Sequence, residues 1–288
     1  MPRPVCITYD STCDLTPQLL ERFQIRTVPL TIQSGEMVFA DDGQYTSADL
    51  YADYRRNGTL PKTAAVSPGE FKNFFLPILE EGYDIVHIDI SSELSCTCQN
   101  AVLAAQELAE QGRVYVVDSR QLSTGGGLLA LQGAKLRDSG MDAADVAEEL
   151  RGLASCGDTS FVLDTLEYMW KGGRCSGVAA LGANVLKLKP CLEMREGKLV
   201  VCKKYRGAMG KVYRQYITER LAGKTVVEDH AFITHSGEVS EDTLRELTEL
   251  VRELAPFKEV FITQAGCTVS SHCGPGTLGV LFLRQPAQ

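Results

Sequence analysis

The stretch DIVHIDISSELSCTCQNAVLAAQELAEQGRVYVVDS, residues 84–119, decides how the first half of the chain is organised. It opens on a strand-sized apolar run, DIVHIDI. A hydroxyl-rich connection, SSELSCT, leads into the helical segment CQNAVLAAQELAEQG, and a second strand-sized run, RVYVVD, ends it. Two strands joined through a helix form a crossover, which is right-handed and leaves the strands parallel in one sheet.

Working outward, the same alternation extends to both sides. VCITYDS (5–11) reads as a strand ending in polar residues, TPQLLERFQ (16–24) as a helix opened by Thr16 and Pro17, and IRTVPLTIQ (25–33) as a second strand. In SPGEFKNFFLPILEEG (67–82), Ser67 at the N-cap, Pro68 at the first helical position and Glu70 three residues on have capping-box spacing. GGLLALQGAKLRDSG (126–140) supplies another helix after 114–118. This pattern predicts an α/β unit with a mainly parallel sheet covered on both faces.

Beyond about residue 155 the pattern changes. TSFVLDT reads as a strand, VAALGANVL (178–186) as a short apolar helix, and PCLEMREGKLVVCKKYRG (190–207) as a hairpin turning at Glu196-Gly197. Then follow the helix MGKVYRQYITERLAG, the strand HAFITHSG, the helix SEDTLRELTELVRELAP and the strands EVFITQAG and GVLFL. Hairpins mixed with helices predict an α+β domain, which places the domains at 1–157 and 158–288.

Composition narrows the function classes. Of 288 residues, 44% are hydrophobic and 23% charged, and no apolar run approaches the length of a membrane span, so a globular protein is expected. The net charge of -8 disfavours nonspecific binding to nucleic acid or anionic membrane. MPRPVCITYDSTCDL lacks the charged-then-apolar layout of a secretory signal, which predicts a cytoplasmic protein. The ten cysteines are therefore expected as reduced thiols, and the C-x-C at Cys96 and Cys98 has no second pair at zinc-ligand spacing, so no metal is expected.

In an open α/β sheet, ligands bind beyond the carboxyl ends of the strands. Four loops of the first half there carry small hydroxyl residues: Asp10-Ser11-Thr12, Lys62–Ser67 with Thr63, Ser91–Thr97 with Ser95 and Cys96, and Asp118–Gly127 with Ser123 and Gly126. Each hydroxyl has a plain role as a helix cap or turn former. Converging on one sheet edge, they also make a receptor for a small anion such as a carboxylate or phosphate. No G-x-x-x-x-G-K-[ST] loop occurs, no G-x-G-x-x-G follows the first strand, and there is no G-x-S-x-G elbow.

The second half contributes YMWKGGRCSG, where Lys171 and Arg174 flank two glycines and Gly172 reads as a helix C-cap. Arg206 follows Lys203 and Lys204 at the end of the hairpin. In SSHCGPGTLGVLFL, His272 precedes a Gly-Pro-Gly turn that stiffens the backbone next to the last strand.

Taken in order, YDSTCDL, ISSELSCTCQNA, VVDSRQLSTGGG, LEYMWKGGRCSG with KLKPCLEM, and SSHCGPGTLGV resemble the DegV family over residues 5–284. The resemblance implies a Rossmann-like N-terminal domain, a C-terminal α+β domain and a tunnel between them for a long-chain fatty acid. It implies a lipid-binding subunit and not a complete enzyme. Such a subunit presents the carboxylate to a separate ATP-dependent fatty acid kinase and carries acyl phosphate towards phospholipid synthesis, with at most transient membrane contact and no intrinsic cofactor beyond the bound acid.

Carried over by position, the carboxylate ligands fall on Thr63 and Ser95, the arginine supporting phosphoryl transfer on Arg206, and the histidine of the H-x-G-P-G turn on His272. Ser11, Cys96, Ser123, Gly126 and Arg174 complete the expected binding set. This chain has TAAVS where the family usually shows a TSQPS-like loop, and Cys96 where it usually shows Gly. A cysteine would be strained if that position required positive φ, so a changed head-group geometry is expected there. Two other readings are a hydrolase or acyltransferase using Ser95 or Cys96 with His272, and a lipid-sensing regulator that shares the tunnel.

Overall fold

A computed structural model describes residues 3–175, 177 and 188–286. The apolar helix expected at 178–186 lies outside the described residues. In chain order the first half forms β1 (Val5–Asp10), α1 (Pro17–Arg22), β2 (Ile25–Val28), β3 (Thr31–Ser34), β4 (Met37–Ala40), α2 (Ser47–Asn57), β5 (Lys62–Ala64), α3 (Pro68–Glu80), β6 (Asp84–Asp89), α4 (Thr97–Glu107), β7 (Val114–Asp118), α5 (Thr124–Asp138) and α6 (Ala143–Leu153). The second half forms β8 (Gly157–Val162), α7 (Glu167–Gly172), β9 (Leu188–Arg195), β10 (Lys198–Arg206), α8 (Met209–Leu221), β11 (Val226–His235), α9 (Glu241–Leu254), β12 (Glu259–Gln264), α10 (Cys267–Cys273) and β13 (Leu278–Arg284).

The expected parallel sheet is present, in the order β2-β1-β6-β7 with every neighbouring pair parallel. The second half builds a mixed six-stranded sheet, β10-β9-β8-β13-β11-β12, in which only β11 and β12 run parallel. The Ser67–Glu70 capping box and the Thr16 cap form as their spacing predicts.

The sequence reading takes 25–33 as one strand, and the structure splits it. Pro29 has no N–H to donate to a ladder. Beside it the Leu30 N–H goes to Ser11 Oγ (3.0 Å), and the Leu30 carbonyl accepts from the Asp41 N–H (2.8 Å). The chain therefore leaves the parallel sheet and builds a third one, β4-β3-β5, antiparallel throughout. Lys62–Ala64, expected in a loop, is the edge strand of that sheet, with Thr63 paired opposite Ile32. Helix α2, absent from the sequence reading, announces itself in a capping box between Thr46 and Asp49.

Helix α5 holds the two large sheets together, packing on β1 and β6 of one and on β8, β11 and β13 of the other. One apolar cluster runs through both halves, from Ile7, Tyr9 and Ile88 through Leu128 and Leu131 to Phe232, Leu281 and Leu283. The approach is close because α5 begins Thr124-Gly125-Gly126-Gly127. A Cβ on Gly125 would lie 1.9 Å from Thr159 Oγ1, one on Gly126 1.8 Å from Tyr9 Oη, and one on Gly127 2.9 Å from the Cys13 carbonyl oxygen. The triple glycine is thus a packing device between two sheets.

Candidate functional site

A cavity of about 350 Å³ opens where the halves meet. Its wall is mainly apolar: Leu30 and Ala65 beside the third sheet, Ile90 and Leu94 after β6, Leu122 after β7, and Met169, Leu199 and Val269 from the second half. Among the described residues its polar lining is sparse and made of Thr63, Ser95, Thr268 and His272, the thiol-bearing Cys96 and Cys273, and one cation, Arg174. This size and makeup fit a small-molecule site in which a few polar groups fix orientation.

Each polar group has an identifiable support. Ser95 Oγ accepts the Thr97 N–H (3.2 Å) and shares a hydrogen bond with Thr97 Oγ1 (2.7 Å), so it caps the first turn of α4 while lining the cavity. Cys96 has φ -78°, ordinary for any L-residue, so the cysteine in place of glycine carries no backbone strain. Thr63 Oγ1 meets His272 Nε2 at 3.1 Å across 209 residues of sequence.

His272 rides on the last turn of α10, whose start is seated on two aspartate side chains. Asp41 accepts the N–H groups of Cys267 (2.9 Å) and Thr268 (3.1 Å), and Asp14 accepts that of Gly266 (2.8 Å). Acceptors at these otherwise unpaired N–H groups stabilise a helix start, and burial pushes the Asp14 carboxyl up to about 8, so at neutral pH it acts as a hydrogen-bonding group more than as a charge. Two residues of the expected binding set act here. Ser11 Oγ donates to Asp41 (3.2 Å) and Ser123 Oγ donates to Asp14, so both hydroxyls support the seat and neither lines the cavity. Gly126, pressed on Tyr9, does not line it either.

Arg206, expected to support phosphoryl transfer, lies apart from these residues. It ends β10 on the exposed surface, outside the described lining of the cavity. Arg174, in contrast, is both exposed and part of the lining, with one guanidinium N–H donating to the Gly172 carbonyl (2.7 Å). The helix before it ends one residue later than expected, because Gly173 takes the left-handed C-cap (φ 68°). Gly172 serves another purpose: a Cβ there would sit 2.3 Å from His272 Nδ1. Sequence reasoning missed this contact, along with Asp14, Asp41 and the apolar lining.

Burial, reinforced by the Arg174 charge, brings the His272 pKa down to about 4, so the ring is a neutral hydrogen-bonding group at neutral pH. Its Nδ1 is buried without a partner and its Nε2 is engaged by Thr63. Among its described hydrogen bonds His272 therefore has no carboxylate partner of the kind the histidine of a serine hydrolase needs. The pKa shift carries a stability consequence. Between about pH 6.5 and pH 4 the unfolded chain takes up a proton that the folded ring refuses, so His272 makes the fold less stable as pH falls through that window. Urea unfolding at pH 7 and pH 4.5 should show His272→Asn losing less stability on acidification than the parent, by about 2 kcal/mol. Equal losses would contradict a neutral ring.

Comparison with known proteins agrees with this architecture. The model of the DegV family, described as an uncharacterised protein family, matches residues 4–285. The chain belongs to the DegV family. A DegV domain-containing protein of Deinococcus radiodurans is 30% identical over 284 residues, covering 96% of this chain and 97% of the relative. Among solved structures, a DegV-family protein of Thermus thermophilus described for its fatty acid binding superposes with a TM-score of 0.87 at 31% identity, covering 98% of this chain and 99% of the other. The fatty acid kinase B3 protein of Streptococcus pneumoniae, loaded with linoleic acid, superposes with a TM-score of 0.83 at 22% identity over 99% of this chain and 100% of that one, which shows the shared DegV fold. Among the described residues of this DegV protein no helix is long and apolar enough to cross a membrane, and no cluster of His, Cys, Asp and Glu could hold a metal ion.

Proposed function

We propose that this protein binds a long-chain fatty acid in the cavity, with the carboxylate against Thr63 and Ser95 and His272 beside it. The observation that carries this reading is the makeup of the lining: an apolar wall with a small set of neutral hydroxyls and, among the described residues, a single cation. Burying about twelve methylenes at roughly 0.8 kcal/mol each offers on the order of 10 kcal/mol before association costs. The tail would dominate affinity. A buried carboxylate needs hydrogen bonds, which Thr63 and Ser95 can donate without neutralising its charge.

On this reading the protein is a binding subunit of the cytoplasm and the phosphoryl chemistry belongs to a separate ATP-dependent kinase. The sequence has no phosphate-binding loop, and the exposed position of Arg206 suits a residue that meets a partner and its transferring phosphoryl group. The acyl phosphate formed would pass to phospholipid synthesis. We assign the division of labour to residues 1–157, which carry the carboxylate-binding hydroxyls, and 158–288, which close the cavity.

Extraction and mass spectrometry of the purified protein should release a long-chain acid, and added oleate should raise Tm. Ser95→Ala and Thr63→Ala should each weaken oleate binding about tenfold, the value of one hydrogen bond to a charged group. An empty extract together with an unmoved Tm would sink the reading. Arg206→Ala should keep oleate affinity while losing acyl phosphate formation in the presence of the kinase; loss of both would move Arg206 to the ligand site.

A further inference from the structure

The hairpin of β9 and β10 holds two cysteines side by side at a fault in its ladder. Leu192 pairs with Val201 and Cys191 with Lys203, so Cys202 is the extra residue of a β-bulge. Residues at a bulge crowd towards the one residue opposite them. The Cys202 thiol accordingly donates to the Cys191 carbonyl at 3.4 Å, which sets the two cysteines beside each other across the ladder.

The two sulfurs differ in access. Cys202 is exposed, whereas Cys191 is 2% exposed in the apolar cluster with Tyr205, Tyr216 and Ile217. We propose that Cys191 and Cys202 form a redox-responsive dithiol, in which Cys202 meets a hydroperoxide and Cys191 resolves the product to a cross-strand disulfide. The neighbouring Cys191 side chain, aided by the Arg220 charge, lowers the Cys202 pKa, and the same pairing with burial raises that of Cys191. The exposed sulfur is thus the one that more readily becomes a thiolate, as a peroxide-reactive cysteine must.

The Cys202 thiolate attacks one peroxide oxygen and the O–O bond breaks. Cys202 becomes a sulfenic acid, and the leaving alkoxide or hydroxide takes the proton the thiol gave up. The Cys191 sulfur then attacks the Cys202 sulfur. The S–O bond breaks, hydroxide leaves with the Cys191 proton as water, and an S–S bond forms. Two thiols lose two electrons and the peroxide gains them. The bond would tie the bulge across β9 and β10, the strand that brings Leu199 to the cavity wall and ends at Arg206.

The test treats the full-length reduced protein with hydrogen peroxide, blocks remaining thiols, and maps peptides without reduction. The expected result is a linked peptide pair joining Cys191 to Cys202, with both thiols consumed together. Cys202→Ser, at an exposed position, should leave Cys191 fully alkylatable after unfolding. Cys191→Ser, checked for an intact fold by its Tm, should leave Cys202 as a trappable sulfenic acid about tenfold longer-lived than in the parent. Wild-type protein in which Cys202 proceeds to sulfinic acid or a mixed disulfide with glutathione while Cys191 stays reduced would overturn the proposal. Modification of Cys96 falls on a separate peptide and is scored apart.

Discussion

Gly126→Ala is expected to lower the stability of the protein by about 3 kcal/mol, the cost of severe overpacking, and its Tm by roughly 10 °C. Helix propensity alone argues for the opposite sign, since alanine gains about 1 kcal/mol over glycine inside a helix. Sterics win because the new methyl would lie 1.8 Å from Tyr9 Oη and 2.7 Å from Cζ. Tyr9 is fully buried, and its hydroxyl is held by Ser119 at 3.2 Å, so the ring has nowhere to go. Removing the offending oxygen in Gly126→Ala with Tyr9→Phe should recover part of the loss, and the cycle of the four proteins gives the coupling. A Gly126→Ala protein as stable as its parent would mean that α5 is free to shift between the sheets.

The second large effect concerns ligand retention. Gly172→Ala is expected to cut oleate affinity tenfold or more while leaving Tm close to that of the parent, an effect of about 1.4 kcal/mol. The added methyl would press 2.3 Å from His272 Nδ1 and 3.2 Å from Cγ and Cε1, so the ring must swing and the Thr63 contact at 3.1 Å is lost. The neighbouring glycine provides the control. Gly173→Ala meets nothing within 4 Å but sits at φ 68°, so it should cost about 1 kcal/mol of stability and leave affinity unchanged. Titration calorimetry on both variants separates the two roles. If both variants bind oleate as the parent does, the ring's position is irrelevant to the head group.

What the sequence revealed follows from the range of the forces involved. Capping at Ser67 and Thr16 and the strand–helix alternation along 84–118 depend on residues a few positions apart, and each formed as read. The split at Pro29 had a local signal too, the missing donor, but its outcome depended on Ser11 and Asp41 capturing Leu30 from afar. Thr63, Ser95, Cys96, Arg174 and His272 were placed by the order of family motifs, and the structure brings all five to one cavity. Ser11, Ser123 and Gly126 lie in the same conspicuous loops, yet they serve the helix seat and the sheet packing. Nothing in their local spelling separates a hydroxyl that meets a ligand from one that meets a buried aspartate. The Gly172 contact was hidden for the same reason, because its partner is distant in sequence.

The seat of α10 spans 226 residues between Asp41 and Cys267, and the Thr63–His272 contact spans 209. Closing such separations is entropically costly before it is rewarded, which makes long-range contacts slow to form. The pocket is therefore expected to form late in folding. Once assembled, an occupant that recognises only the finished wall would draw the equilibrium towards it by mass action, so lipid supplied during refolding should act as a trap for completed molecules.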